Sequence, residues 1–460
     1  MTVSRAHLPM LEAPAGLAEP SVRPGTDTPG TAARTYLPHV VAWNLTRRCN
    51  LACAHCYISA GSWHAATGEL PTEACLRILD QLLAVNPWPV LILSGGEPLL
   101  RDDLETLAER GAAAGATVVV GTNGTRLTDD RIRSLKDAGV KGIAVSVDSL
   151  EERYHDRFRH GEGSLRQTLD AVERLRTHQL DFIVQTTVTR GNRDELGALA
   201  AWAAGRGAVA FNVYFVVPTG RGEQMRGLKP HENDEVLREL VGMERSYRGR
   251  MMVRSKCQPQ IMRHALAGDP DSPLLNYETR CPCGTQYCRI TPEGKITPCP
   301  YTPAVAGDLT TQSFGEIWDG SPVFRALRGG TFGGKCGRCE YRGVCGGCRA
   351  RAYAESGDLL GPDESCTYEP TGEVPLIEPR RTMTYGSRVV PAMEWTPEAQ
   401  ARLGRVPSFV RGVVTERVER FARERGYARV DLDVMAEVRR AMPVEFSKRL
   451  PFFLGREGDA

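Results

Sequence analysis

The chain is 460 residues long with 41% hydrophobic and 25% charged residues, the composition of a globular protein large enough for two or three cores. Its 58 Lys and Arg against 56 Asp and Glu leave no strong field to steer it onto nucleic acid or an acidic membrane surface. No apolar run approaches the ~20 residues of a bilayer span, and the N-terminus lacks a basic-then-apolar export pattern, so the cytoplasm is the expected compartment.

Residues 1–38 are rich in Pro, Gly, Ala and Thr without a period and read as a flexible tail. From Val40 onward short β-branched runs recur: VVAWNL, VLILSG, TVVVGT, GIAVSVD, FIVQTTV and VAFNVYFVV. Helix-like stretches lie between them, such as the one in which Leu76, Leu79, Leu82 and Leu83 share a face. Near-continuous apolar strands alternating with helices predict an α/β fold, a parallel sheet closed into a partial (βα)6 TIM-type barrel over 39–250. Residues 251–375 carry ten of the fourteen cysteines with many Gly and Pro, so bound metal is expected to substitute for a large core there. A linker at 376–390 leads to a small helical unit at 391–460, in which Val410, Val414, Val418 and Phe421 mark an amphipathic helix.

The cysteines cluster at 49–56, 281–299 and 336–366, which in a reducing compartment points to metal rather than to a disulfide framework. The first cluster, LTRRCNLACAHCY, holds Cys49, Cys53 and Cys56 as CxxxCxxC directly after the first strand. Iron–sulfur cubanes usually take four thiolates. Three would leave one iron with an open position, as catalytic zinc sites keep one open for substrate. The spacing alone also suits a zinc or redox loop.

That motif, placed after a first strand, resembles the radical S-adenosylmethionine (SAM) family. There the open iron chelates SAM, and one electron from the [4Fe-4S] cluster splits it to methionine and a 5′-deoxyadenosyl radical, so no side chain is expected as catalytic residue. The second strand ends in SGGEP, similar to the family's GGEP motif, which implies Gly95, Gly96, Glu97 and Pro98 at the SAM methionyl group. Gly permits close backbone approach, and Glu97 offers an acceptor for an ammonium. By the same resemblance Asn123, Ser146 and Asp148, at the ends of the next two strands, lie at the SAM site or the substrate pocket, and Arg159 and Asn192 are further family positions.

CPCGTQYCRITPEGKITPC followed by CGRCEYRGVCGGC and Cys366 resembles the SPASM extension, which carries one or two auxiliary [4Fe-4S] clusters. The resemblance implies Cys336, Cys339, Cys345 and Cys366 for one cluster. It implies Cys299 and Cys348, with Cys288 and either Cys281 or Cys283, for the other. Here the last CxxC has two intervening residues where the family more often has three, and the first block has one cysteine more than the assignment needs. A zinc ribbon is the competing reading, but five residues between the CxxC pairs is short for one. Cys75 reads as core, and Cys257 carries no assignment.

Taken together, residues 39–370 look like the haem-synthesis branch, enzymes that trim tetrapyrrole side chains, and 395–442 resemble the small C-terminal domain of a light-independent protochlorophyllide reductase subunit. The implied activity is oxidative decarboxylation of propionates, fed by a flavodoxin- or ferredoxin-type electron donor, without nucleic-acid or membrane partners. Arg221 is a candidate for a propionate, and His155 or His160 for haem iron. The alternatives are a maturase acting on a ribosomally made peptide or another cofactor precursor, and a non-catalytic iron–sulfur carrier, which would have no need of GGEP and an open iron.

Overall fold

Seven parallel strands form the barrel: β1 (Val40–Asn44), β2 (Val90–Ser94), β3 (Thr117–Thr122), β4 (Gly142–Ser146), β5 (Phe182–Val188), β6 (Ala210–Phe215) and β7 (Met252–Lys256). The computed structural model describes residues 36–378 and 391–441, apart from positions 273, 278, 279, 330, 373, 405 and 407. The tail expected at 1–38 and the linker expected at 376–390 fall largely outside these residues.

The crossovers are α1 (Thr72–Val85), α2 (Leu104–Ala113), α3 (Asp129–Asp137), α4 (Glu152–Arg159), α5 (Ser164–Thr177), α6 (Leu196–Gly205) and α7 (Pro230–Tyr247). Strand alternation sorts the two faces. Val41 and Trp43 of β1, Leu91 and Leu93 of β2 and Phe211 and Val213 of β6 bury against the helices in one core. Their neighbours Ala42, Asn44, Asn212 and Tyr214 therefore face the lumen.

One strand more than expected is present. β7 was hidden because its alternate residues are Arg254 and Lys256, so it lacks the apolar run of the other strands. The cysteine-rich segment is also not a separate sheet. β8 (Tyr287–Ile290) pairs in parallel with β1, Ala42 opposite Arg289, and β9 (Lys295–Thr297) and β10 (Gly307–Asp308) extend the sheet antiparallel. Ile290, Phe314, Trp318 and Phe324 join the barrel core. The auxiliary region is thereby held in register with the strand that leads into the three-cysteine loop.

The C-terminal unit has its own core of Trp395, Val418, Val430 and Val434 from the helices Pro397–Gly404, Ser408–Glu424 and Leu432–Ala441 and a short parallel strand pair. Buried Glu419 accepts the Trp395 indole N–H at 3.0 Å and the Ala392 amide at 2.8 Å. The Arg411 guanidinium lies 3.9 Å from the Trp88 ring centroid, which fastens this unit near the start of β2, at the end of the barrel opposite the three-cysteine loop. Among the described residues no helix is long and apolar enough to cross a membrane.

Candidate active site

The three-cysteine loop leaves β1 at the C-terminal mouth of the barrel, where parallel strands present loops and free backbone groups. It is laid against the end of β2 by main-chain bonds: Gly96 N donates to Thr46 O at 2.7 Å and Glu97 N to Arg48 O at 2.9 Å. Only Gly fits there. Gly95 has φ +142, and a Cβ on it would stand 2.6 Å from Thr46 O, while one on Gly96 would land on Arg48 O. On the other side Gly220, after β6, would meet the Cys56 and Tyr57 carbonyls in the same way.

Cys49, Cys53 and Cys56 pack in one small apolar group with Leu51 and Ile58. Burial pushes the Cys49 thiol up to about 12, opposed by the Leu51 amide, and burial likewise raises Cys53 against the pull of Arg159. Thiols so buried are neutral unless a bound cation holds them as thiolates. Amides already point at sulfur: Leu51 N lies 3.4 Å from Cys49 Sγ and Ala60 N 3.3 Å from Cys56 Sγ, the contacts that tune ligated sulfur. Three thiols gathered in one small group, two of them with amides already aimed at sulfur, fit a cubane, in which each reaches a different iron.

The GGEP carboxylate is a brace. Glu97 is fully buried, and its oxygens accept from the Leu99 amide at 3.1 Å, the Thr122 hydroxyl at 2.8 Å and the Asn123 amide at 3.0 Å. The ammonium acceptor expected from the sequence is therefore already engaged in tying β2 to β3. Pro98 is buried and starts the short helical turn that follows. Asn123 continues the chain of contacts, donating to Asn50 Oδ1 at 3.0 Å with Cys49 Sγ at 3.9 Å. Ser146 ends β4. Two residues on, Asp148 is fully buried and paired with Arg159, whose Nη1 lies 3.9 Å from Cys53 Sγ. Asn192 donates to Asp148 O at 2.7 Å and so braces the same strand end. All eight positions expected at the cofactor site are thus gathered at one mouth, with Asn192 behind them.

Three expectations change. Arg221 donates Nε to Cys53 O at 2.8 Å and Nη1 to Ala60 O at 2.7 Å and lies over the Trp63 ring, so it fastens the cysteine loop, with only Nη2 left without a partner among the described residues. His155 is buried, with Nδ1 3.3 Å from the Ser164 hydroxyl and Nε2 without a partner among the described residues, and His160 is the exposed left-handed cap of α4; both lie at the α4–α5 corner. Cys288 is fully buried in the barrel core, because its position on β8 turns it away from the lumen.

The auxiliary thiols form two groups. Cys281 contacts Cys283 and Cys348, and Cys283 contacts Cys299. Both Cys281 and Cys283 belong here, and Cys288 does not. Cys257, unassigned from sequence, packs against this group in a left-handed conformation at φ +62, a backbone strain a non-glycine residue rarely accepts. Cys336, Cys339, Cys345 and Cys366 line a second pocket together with Lys335 and Arg342. Asp363 links the groups: its Oδ2 accepts from Cys348 N at 2.7 Å and its amide reaches Cys336 Sγ at 3.4 Å. Arg349 contributes a second link, with Nη2 3.8 Å from Cys336 Sγ. Cys75 is core, as expected, its thiol raised to about 11 by burial.

Between the first auxiliary group and the three-cysteine loop stand Tyr57, Tyr214, Tyr287 and Tyr301. Burial first, and then one another's phenols and the Cys257 thiol, push Tyr287 and Tyr301 well above the usual range. Arg289 stands among them, its own pKa lowered by burial. Sequence reading passed over this group because its members come from separate strands and loops, each unremarkable alone.

Family models match the chain in three places: the Radical SAM superfamily at 43–203, the SPASM iron-sulfur cluster-binding domain at 281–349, and the Proto-chlorophyllide reductase 57 kD subunit at 395–439. The chain is 38% identical over 348 residues to an AdoMet-dependent heme synthase of Methanosarcina barkeri, covering 74% of this chain and 99% of that one. It is 30% identical to a mycofactocin maturase of Mycolicibacterium smegmatis, covering 72% and 82%. The fold matches that of Streptococcus suis SuiB bound to S-adenosylmethionine at a TM-score of 0.60 with 13% identity, covering 72% and 78%. With its motifs gathered at one barrel mouth and a relative matched over nearly its entire length, the chain belongs to the radical SAM/SPASM family, in its haem-synthesis branch.

Proposed function

We propose that this radical SAM enzyme decarboxylates propionate side chains of an iron-coproporphyrin-like tetrapyrrole, leaving vinyl groups. The observation that carries the reading is the 38% identity over 348 residues to an AdoMet-dependent heme synthase, covering 99% of that chain. Cys49, Cys53 and Cys56 would hold the SAM-binding cluster. Cys281, Cys283, Cys299 and Cys348 would hold one auxiliary cluster and Cys336, Cys339, Cys345 and Cys366 a second. When bound and reduced, the first cluster supplies the electron that splits SAM and yields the 5′-deoxyadenosyl radical.

The chain's own part is positioning. Gly95 and Gly96 bring backbone against the cysteine loop, Glu97 and Asn123 lock the strand ends that cradle SAM, and Arg159 sets positive charge beside Cys53. Each propionate-to-vinyl conversion removes one hydrogen atom and carbon dioxide and leaves one electron to depart. The Cys281 group, beside the lumen, would hold its acceptor. A flavodoxin- or ferredoxin-type protein would supply the reducing electron.

The test is anaerobic reconstitution, which should give roughly eight to twelve irons per chain, two or three [4Fe-4S] clusters. With SAM and a reductant the protein should release 5′-deoxyadenosine, and Cys53→Ala should abolish that release while auxiliary-cluster absorbance remains. With iron-coproporphyrin III, mass spectrometry should show stepwise loss of carboxyl groups. An unchanged porphyrin alongside active SAM cleavage would favour the second reading, a peptide maturase, which the mycofactocin maturase relative supports.

A further inference from the structure

Five arginines of the barrel and auxiliary region are almost fully buried: Arg101 at 7%, Arg159 at 6%, Arg351 at 5%, Arg349 at 1% and Arg289 at 8% exposure. Three of them carry a carboxylate partner, Asp103, Asp148 and Asp363 respectively. Arg349 and Arg289 make no ion pair among the described residues, but Arg349 spends its N–H groups on the Gly347, Leu359 and Gly361 carbonyls and on Cys336 Sγ, which leaves Arg289 as the one with an unanswered side edge. A guanidinium withdrawn from water without an anion is costly, and the cost of burying an unpaired charge is what normally enforces the pairing seen at the other three.

Its hydrogen bonding is lopsided in a way that identifies what is missing. Nη1 donates to Pro300 O at 2.9 Å, which fixes the plane of the guanidinium. Among the described residues Nε and Nη2 have no partner, and Nε is shielded from solvent. These two nitrogens form the side edge of the guanidinium, whose parallel N–H bonds match the two oxygens of a carboxylate. Arg101 uses the same edge on Asp103, with Nε to Oδ1 at 2.8 Å and Nη2 to Oδ2 at 2.6 Å.

The location suits a substrate group. Cys288 and Ile290 of β8 face the core, so Arg289 faces the lumen, next to Tyr287. The charged and titratable groups that act on it are Tyr57, which follows the SAM-loop Cys56, Cys299 of the first auxiliary group, Tyr287, and Arg47, itself paired with Glu293. Tyr57 packs on Tyr301 with ring centroids 5.1 Å apart, and Asn44 Nδ2 holds the Tyr57 hydroxyl at 2.8 Å. A wall of phenols ending in one unpaired guanidinium, between the two thiol sites, fits a flat aromatic molecule that carries a carboxylate.

Resting on the tetrapyrrole reading above, we infer that Arg289 is a specificity-determining residue that receives a propionate carboxylate of the substrate through Nε and Nη2, with the porphyrin against the lumen tyrosines. A carboxylate held there anchors the macrocycle between the radical source and the auxiliary cluster. It also distinguishes a carboxylated porphyrin from an esterified one.

The experiment is an anaerobic absorbance titration of the reconstituted protein, without reductant, using iron(III)-coproporphyrin III and its tetramethyl ester. Wild-type protein should bind the acid at least about tenfold more tightly than the ester. Arg289→Gln should bind the acid at least about tenfold more weakly than wild type, with the ester unaffected and iron content retained. Arg289→Lys, which keeps the charge but loses the fork, should fall between. Equal affinity of wild type for acid and ester overturns the inference without recourse to any variant, as does an Arg289→Gln protein that binds the acid undiminished and only shifts an auxiliary-cluster potential. Wild-type protein that takes up neither porphyrin overturns the tetrapyrrole reading itself, and this assignment with it.

Discussion

Arg159 sets both Nε and Nη2 on a single oxygen of Asp148, Oδ2, each at 2.7 Å, and turns Nη1 toward Cys53 Sγ. The pair is buried at the mouth of the barrel, so neither charge is stable there without the other. Removing one partner of a buried pair costs about 3–5 kcal/mol, because it leaves the other uncompensated. Asp148→Asn is expected to lower the unfolding free energy by about that amount and to weaken retention of the cluster at Cys53. Urea unfolding of both proteins checks the first effect, and a loss below about 1 kcal/mol would show that the pair is not coupled to folding.

Gly96→Ala should be more disruptive than its single methyl suggests. The added carbon lands on the Arg48 carbonyl, which belongs to the loop carrying the cluster cysteines. Overpacking of this kind costs about 1–3 kcal/mol. The expected outcome is a protein with normal auxiliary clusters that binds SAM weakly and releases little 5′-deoxyadenosine. Equilibrium dialysis with labelled SAM measures it directly.

Two neighbouring cysteines should part company on iron content. Cys283→Ala removes a member of the first auxiliary thiol group and should lower iron by about four per chain, one cubane. Cys288→Ala only trims a side chain in the barrel core and should leave iron unchanged, with a stability loss of about 1 kcal/mol. Iron assay of the two purified variants decides, and loss of a cluster from Cys288→Ala would refute the grouping.

Acid sensitivity is expected at the brace behind the GGEP turn. Burial would raise the Asp103 carboxyl, but the two-pronged Arg101 contact and the Thr72 hydroxyl outweigh it and hold it below its usual value. A carboxyl lowered in the folded state adds stability that is fully present above its unfolded value, about 4, and is lost as pH falls through the folded value. The stability gap between wild type and Asp103→Asn should therefore be constant above about pH 5 and close toward pH 3. Urea unfolding across that range measures the gap; one that widened on acidification would have the wrong sign.

Arg411→Ala should loosen the C-terminal helical unit without touching the chemistry. The cation–π contact with Trp88 is worth about 1–2 kcal/mol when partly buried and lies at the far end of the barrel from the cysteine loop. Amide exchange in the helix Ser408–Glu424 should quicken while 5′-deoxyadenosine release stays at the wild-type rate.

The radical SAM centre was legible in the chain because its parts are local. CxxxCxxC, GGEP and the strand-end residues Asn123 and Asp148 each lie within a few positions of a recognisable strand terminus, and parallel strands bring successive termini to one mouth. What those residues do there was less legible. Glu97 and Arg221 offer functional groups suited to a ligand, yet both are engaged with chain atoms that follow or precede them by dozens of residues. No pattern in either segment announces such a partner.

Spacing along the chain determined which thiols could share a cluster loop, that strands alternate with helices, and which chemistry an open iron implies. Pairing of β8 with β1 decided the rest. On a strand of four residues, parity sends Cys288 into the core and Arg289 into the lumen, and only the sheet in which that strand lies tells inward from outward. Short strands carry too few residues to display a period, so the orientation of every side chain on them is set by neighbours distant in sequence.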